Sequence, residues 1–109
     1  MIKNVSHLDF NKNVLENKKP VLVEFHASWC GPCKAMEKEL NRISSDFTDQ
    51  LCLFRISVDE EPGLAQEYRI KAYPTLLIMN NGRILEQVIG FTAYEEIKES
   101  LANSGIINQ

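Results

Sequence analysis

Two cysteines separated by two residues, Cys30 and Cys33, are the residues of this chain best suited to chemistry. They follow a strongly apolar segment, residues 21–27, and precede a stretch with helical periodicity, residues 34–47. The pair is therefore expected where a strand passes into a helix, with Cys30 at the helix N-terminus. There the helix dipole and the free backbone N–H groups favour an anionic sulfur. A thiolate is the nucleophile of thiol–disulfide exchange, and Cys33, one helical turn further on, can resolve the mixed disulfide.

The same cysteine spacing also occurs in structural bridges and in zinc sites. A zinc site needs four ligands, and the remaining candidates, Cys52, His7 and His26, show no paired spacing. Three cysteines are an odd number and too few for the disulfide framework of a small secreted protein. We therefore interpret Cys30 as the nucleophile and Cys33 as the resolving cysteine, and we expect no metal. Cys52 alternates with two leucines and is predicted to be a core thiol.

Length and composition predict one globular domain over residues 1–109, large enough for a core without disulfides. The net charge of −3 at pH 7 gives no indication of nucleic acid or anionic membrane binding. The longest apolar runs are too short to span a bilayer, and residues 1–5 lack the apolar core of a signal peptide. We therefore expect a cytoplasmic protein, in which a Cys-x-x-Cys pair is more often catalytic or metal-binding than structural.

Apolar periodicity predicts the elements that must position the two cysteines. The predicted strands cover residues 2–5, 21–27, 51–58, 75–79 and 84–89, and the predicted helices cover residues 9–16, 34–47 and 64–68, with a last helix carrying Tyr94, Ile97 and Leu101. Asn81-Gly82 predicts an antiparallel hairpin, and capping boxes at residues 6–9 and 92–95 predict two helix starts. This order predicts an α/β fold. Its central mixed sheet has parallel strands first, a closing hairpin last and helices on both faces.

Motif and element order together resemble the thioredoxin family over residues 5–102, essentially the whole chain. The residues that carry the resemblance are Trp29-Cys30-Gly31-Pro32-Cys33-Lys34, Val58-Asp59, Tyr73-Pro74-Thr75 and Gly90. The resemblance implies the thioredoxin fold and a reversible dithiol–disulfide oxidoreductase that reduces disulfides of target proteins. It further implies a monomer without a bound cofactor, to which a flavin-dependent thioredoxin reductase supplies electrons.

The resemblance also implies a substrate groove beside the cysteines. Pro74 is expected to be a cis proline whose loop offers backbone hydrogen bonds to an extended substrate. Gly90 is expected to let the backbone of a partner approach an apolar rim, which marks a protein-binding surface. The predicted substrate-binding residues are Trp29, Tyr73, Pro74, Thr75, Gly90 and Phe91. Tyr73 is bulkier than the aliphatic residue common in the family, so substrate preference is expected to differ.

Glu24 stands in the middle of a central strand, where a carboxylate is costly unless it is protonated or paired. One interpretation is a buried ion pair with Arg55 of the neighbouring strand. The other, which we favour, is a proton acceptor for Cys33 that is poised by burial. The family normally has Asp here and Lys in place of Arg55. A permanently charged Arg holds Glu24 ionised more strongly than a Lys does, which works against proton transfer to Glu24.

The remaining predicted residues tune the redox couple. By resemblance Gly31 and Pro32 set the turn, and proline is also well tolerated at the first turn of any helix. His26 replaces a residue that is usually aromatic in the family, and both a structural and a functional role are open. A protonated His26 would stabilise the thiolate and make the disulfide more oxidising. Lys38 replaces a helix-kinking proline, which predicts a straighter helix.

Two other functions are compatible with the same motif. One is a thioredoxin-like oxidase or isomerase, against which the Gly-Pro pair between the cysteines and the lack of a signal peptide argue. The other is a binding module that uses the apolar rim for docking, with the thiols secondary.

Overall fold

The computed structural model describes residues 2–108, in which strands and helices alternate along most of the chain. The strands are Lys3–Asn4 (β1), Val21–His26 (β2), Cys52–Ser57 (β3), Thr75–Asn80 (β4) and Arg83–Ile89 (β5). The helices are Gly31–Asp46 (α1), Pro62–Glu67 (α2) and Tyr94–Asn103 (α3), and Asn11–Leu15 is a π-helical segment. Within residues 2–108 the strands form one sheet in the order β1-β3-β2-β4-β5. The first three run parallel, β4 is antiparallel to β2, and β5 is antiparallel to β4, as the element order predicts.

Helices cover both faces of the sheet, which explains why the central strand β2 is apolar on both sides. On one face, strand residues pack beneath α1 and α3, in a cluster that includes Leu22, Leu53, Leu76, Met36, Leu40, Ile43, Ile97 and Leu101. On the other face, strand residues pack against the π-helical segment and α2, in a cluster that includes Val21, Val23, Phe25, Phe10, Val14 and Leu64. The predicted layer arrangement is therefore confirmed.

The turn between β4 and β5 confirms the predicted hairpin. Asn81 and Gly82 both have positive φ angles, 53° and 75°, which is the geometry that an Asn-Gly pair adopts at low cost. Gly82 also approaches the backbone closely, since a Cβ added there would lie 3.3 Å from the carbonyl oxygen of Leu15. The turn thus lies close to the end of the π-helical segment, where a larger residue than glycine would be crowded.

The first predicted helix, residues 9–16, is wrong in its type and its length. Asp9 does accept a hydrogen bond from the backbone N–H of Ser6 (2.9 Å), as in the predicted capping box. The backbone N–H of Glu16, however, bonds to the carbonyl of Asn11 five residues earlier (2.8 Å), which makes this segment a π-helix. Phe10 and Val14, four residues apart, are buried in this geometry, so the apolar spacing does not distinguish the two helix types.

The predicted capping box at residues 92–95 is also wrong. The hydroxyl of Thr92 donates to the carbonyl oxygen of Gly90 (3.0 Å), and the N-cap is Ala93. The backbone N–H of Ala93 donates to the carboxylate of Glu96 (3.2 Å), so Glu96 takes the place predicted for Glu95. The helix starts one residue later than predicted because Thr92 belongs to the turn after β5. No helix within residues 2–108 has the length and apolar character needed to cross a membrane.

Candidate active site

The two cysteines lie at the junction between β2 and α1, as the sequence predicts. Cys30 is the N-cap of α1, and its sulfur accepts a hydrogen bond from the backbone N–H of Cys33 (3.1 Å). Cys30 and Cys33 form a disulfide, with their Cα atoms 5.3 Å apart. Pro32 occupies the first turn of the helix, where no hydrogen-bond partner is lost. The helix N-terminus thus directs an N–H donor at the sulfur of Cys30, and such a donor stabilises a thiolate.

Both cysteines are largely shielded from solvent. Cys30 is 5% exposed and Cys33 is 2% exposed, so Cys33 is the more buried of the two. They form a small cluster with Ala27, against which Val58 and Tyr73 pack. Any molecule that reacts with Cys30 must therefore reach it across the residues that surround it.

An apolar rim surrounds this approach. Trp29 is 70% exposed, and its ring meets that of Tyr73 edge-on with the ring centroids 5.8 Å apart. Phe91 is half-exposed after the end of β5. Ile89, which we did not predict as a site residue, is 61% exposed and lies beside Thr75 in the register of β5 and β4. Its position next to Gly90 in the sequence is the signal that would have identified it.

The loop of Pro74 stands directly beside the cysteines. The peptide bond between Tyr73 and Pro74 is cis, as the resemblance implies, and the carbonyl oxygen of Tyr73 lies 3.5 Å from the sulfur of Cys30. The carbonyl oxygen of Pro74 accepts a hydrogen bond from the N–H of Gly90 (2.8 Å). Gly90 has a φ angle of 87°, a left-handed conformation that favours glycine. The hydroxyl of Thr75 donates to the carbonyl oxygen of Ala72 (2.6 Å), a bond within the same loop.

Glu24 is completely buried in the middle of β2. One carboxylate oxygen, Oε1, accepts a hydrogen bond from Nε of Arg55 (2.8 Å), so the predicted ion pair is present. The other oxygen, Oε2, is buried and has no hydrogen-bond partner among residues 2–108. Burial raises the pKa of Glu24, the hydrogen bond and charge of Arg55 oppose this rise, and the charge of Glu37 adds to it. A carboxylate with a raised pKa and a free oxygen is suited to accept a proton.

The raised pKa of Glu24 predicts a specific pH dependence of stability. Because the folded-state pKa lies above the unfolded value of 4.5, the folded protein binds more protons than the unfolded chain between these two values. The stability that Glu24 contributes is therefore complete below the unfolded pKa and is lost as pH rises through the folded pKa. We expect Glu24→Gln, which cannot ionise, to gain stability relative to the wild type as pH rises from about 4 to about 8.

Urea unfolding of the oxidised proteins at several pH values measures this difference. Each unit of the pKa shift corresponds to about 1.4 kcal/mol in the relative free energy of unfolding. A difference between Glu24→Gln and the wild type that stays constant over this pH range would contradict a raised pKa.

His26 lies at the end of β2 and is half-buried, and its Nε2 atom is buried without a hydrogen-bond partner within residues 2–108. Burial lowers the pKa of His26, and the charge of Arg55 lowers it further, whereas Glu37 and Asp59 act in the opposite direction. The neutral ring is therefore favoured in the disulfide form. The lowered pKa of His26 therefore argues against a protonated His26 that stabilises the thiolate.

Asp59 holds the loop that carries the first cysteine. Its Oδ2 atom accepts a hydrogen bond from the backbone N–H of Ser28 (2.9 Å), and this bond lowers the pKa of the Asp59 carboxyl group. Asp59 follows β3, so the loop after β3 is tied to the loop after β2. The resemblance indicated Asp59 as a family residue, but the sequence did not reveal this contact.

Cys52 requires a correction. It begins β3, is half-buried and packs against the edge of the core, so it is not the buried core thiol that we predicted. Alternation with Leu51 and Leu53 indicates the face of the strand correctly. Burial at the start of a strand also depends on what covers that end of the sheet, which alternation does not reveal.

Comparison with known proteins places these features in a family. The thioredoxin family model matches residues 1–103. The chain is 36% identical to a thioredoxin of Griffithsia pacifica over 89 residues, 82% of each chain. It is also 36% identical to thioredoxin 1 of Synechococcus elongatus over 100 residues, which are 92% of this chain and 90% of that protein.

A further relative is the M-type chloroplastic thioredoxin of Spinacia oleracea, 31% identical over 100 residues. The match covers 92% of this chain and 55% of that protein, so the chain spans about half of its length. Because the family model covers nearly the whole chain and the disulfide-forming pair has the family's active-site sequence, this chain belongs to the thioredoxin family and is a thiol–disulfide oxidoreductase.

Proposed function

We propose that this protein reduces disulfide bonds in target proteins through the Cys30–Cys33 pair, and that a thioredoxin reductase returns the pair to the dithiol. The observation that carries the proposal is the hydrogen bond from the backbone N–H of Cys33 to the sulfur of Cys30. It stabilises negative charge on Cys30 at the start of α1, where a nucleophilic thiolate is required.

The reaction proceeds in two exchanges. The thiolate of Cys30 attacks one sulfur of the target disulfide, which forms a mixed disulfide and releases the other target sulfur as a thiolate. Cys33 then transfers its proton to Glu24 and attacks the sulfur of Cys30. This step breaks the mixed disulfide, releases the second target thiolate and leaves the Cys30–Cys33 disulfide. The two electrons gained by the target come from the two cysteines.

The target binds along the apolar rim. An extended segment of the target pairs with the backbone of the Tyr73–Pro74–Thr75 loop, while Trp29 and Phe91 contact its apolar side chains. Exposure of Trp29 and Phe91 supports this assignment, because exposed aromatic side chains next to a reactive group serve protein recognition. Gly90 keeps the groove open on the far side of the loop.

Four residues tune the couple in this proposal: Gly31, Pro32, His26 and Arg55. The protein acts as a single-domain monomer, and the cytoplasm is the compartment that fits its reducing role, since cytosolic thiols are kept reduced. There it serves as an electron carrier between the reductase and the targets.

The reduction potential of the Cys30–Cys33 couple tests the direction of the reaction. We expect about −270 mV, the value characteristic of thioredoxins, after equilibration with a thiol–disulfide buffer and mass detection of trapped thiols. A value between about −180 and −120 mV would instead indicate an isomerase or an oxidase. Cys52→Ser is the matched control and should leave the potential unchanged, because Cys52 lies outside the cysteine cluster.

A further inference from the structure

Glu37 lies on α1, four residues after Cys33, so the two side chains are neighbours along one side of the helix. Glu37 is half-buried, so its carboxylate is partly shielded from solvent. It lines a cavity of about 190 Å³ together with Arg55. The other residues of this cavity are Ile2, Asn4, Leu40 and Asn41, none of which carries a charge.

Glu24 approaches the same Arg55 from the buried side. Leu22, two residues before Glu24 in β2, and Leu53, two residues before Arg55 in β3, pack beneath α1. Side chains two residues apart in a strand share a face, so Glu24 and Arg55 also face α1. Arg55 therefore donates a hydrogen bond from its Nε atom to Glu24. It also lines the cavity that Glu37 lines. The β4 partner of Glu24 is the apolar Leu76.

The charges at this place decide whether Glu24 can accept a proton. With Arg55 alone, an ionised Glu24 forms a neutral pair, and protonation of Glu24 leaves an uncompensated guanidinium charge, which is unfavourable near the core. With Glu37 present, the group of two carboxylates and one guanidinium carries a net charge of −1 while Glu24 is ionised. Protonation of Glu24 then leaves Arg55 balanced by Glu37.

We propose that Glu37 is a positioning residue for the Cys33 step, because its negative charge lets Glu24 accept the Cys33 proton although Arg55 is permanently charged. This inference rests on the proposed function and extends it to a residue that takes no part in the sulfur exchange itself. The charged groups that act on Glu24 are Arg55 and Glu37, and His26 on the same strand is influenced by both. The rise that Glu37 causes in the pKa of Glu24 agrees with the proposal.

The test compares Glu37→Gln with the wild type in two measurements. The first is the titration of Glu24 in the disulfide form, followed by the carboxyl ¹³C signal that Glu24→Gln identifies. We expect the titration midpoint to fall by about one pH unit in Glu37→Gln, as for loss of a nearby like charge. The second is single-turnover release of a chromophoric thiol from its mixed disulfide with Cys30, which reports attack by Cys33. At pH 7 we expect about threefold slower release, because Glu24 is then a weaker base.

Two variants control for general effects of charge and side-chain loss. Glu99→Gln removes the same charge from an exposed position on α3 and should change neither measurement. Glu37→Asp keeps the charge and should restore most of both. An unchanged Glu24 midpoint in Glu37→Gln would overturn the proposal, as would a lowered midpoint with an unchanged release rate. The titration of Glu24 is measured on the disulfide form and does not require the protein to reduce a target. If the wild type failed to reduce disulfides, the proposed function would be refuted, but the titration would still report the effect of Glu37 on Glu24.

Discussion

Cys33→Ser should stop the reaction after its first exchange. The variant keeps Cys30, so a target disulfide is still attacked, but the mixed disulfide cannot be resolved from within the protein. We expect steady-state reduction of a protein disulfide, driven by a thioredoxin reductase, to fall at least about 10³-fold. We also expect a covalent adduct to accumulate to one equivalent, detected by mass spectrometry under non-reducing conditions. Cys30→Ser should lose the same activity without forming an adduct.

The adduct distinguishes the roles of the two sulfurs. Cys33 is more buried than Cys30 and lies inside the helix, whereas Cys30 lies beside the carbonyl of Tyr73 where the groove begins. An adduct on Cys33 in the Cys30→Ser protein would reverse the assignment. Cys52→Ser in the same assay should behave as the wild type, which excludes the third thiol as the trapping residue. If the biological role of the protein survives replacement of both cysteines by serine, although disulfide reduction is lost, binding through the apolar rim is the function.

Arg55→Leu should destabilise the oxidised protein by about 3–5 kcal/mol at pH 8, because it leaves Glu24 buried without its cation. Glu24 is completely buried, and its Oε1 atom has Arg55 as its hydrogen-bond donor. The cost should be smaller at pH 5, since Glu24 without Arg55 is more readily protonated and a neutral carboxyl group is less costly to bury. Urea unfolding at the two pH values measures both effects.

The double variant Glu24→Leu/Arg55→Leu separates the loss of a partner from the loss of packing. Replacement of a buried ion pair by apolar residues is often neutral or stabilising, so we expect the double variant to unfold within about 1 kcal/mol of the wild type. It should nevertheless resolve mixed disulfides slowly, because the proton acceptor is absent. If the double variant were destabilised as much as the sum of Glu24→Leu and Arg55→Leu measured singly, the two side chains would not be coupled.

The elements that position the cysteines were predictable because local patterns determine them. A run of apolar residues from Val21 specifies a strand buried on both faces, and Cys33, Met36, Leu40 and Ile43 follow the period of a helix with one buried side. The hairpin follows from Asn81-Gly82, since few other residue pairs adopt two positive φ angles. Each of these patterns can be recognised within one short segment of the sequence, without knowledge of distant contacts.

The features that the sequence did not reveal depend on contacts between distant segments. Phe10 and Val14 are buried in the π-helical segment, but their spacing does not specify which carbonyl the following N–H groups choose. Thr92 bonds back to Gly90 because the chain turns there after β5. Glu37 lines a cavity together with Arg55, which lies in a strand 18 positions further along the chain, and no helical pattern encodes this proximity.

The antiparallel pairing of β2 and β4 brings together two segments of the active site that are distant in the sequence. Because β4 runs antiparallel to β2, its first residues lie at the same end of the sheet as the last residues of β2. Cys30 and Tyr73, 43 positions apart in the chain, therefore become neighbours only in the folded sheet. In the proposed function, the start of α1 stabilises the thiolate of Cys30, and the entry to β4 offers its backbone to the target. A substitution in the Tyr73–Pro74–Thr75 loop can therefore alter target binding while the residues between the two cysteines stay the same.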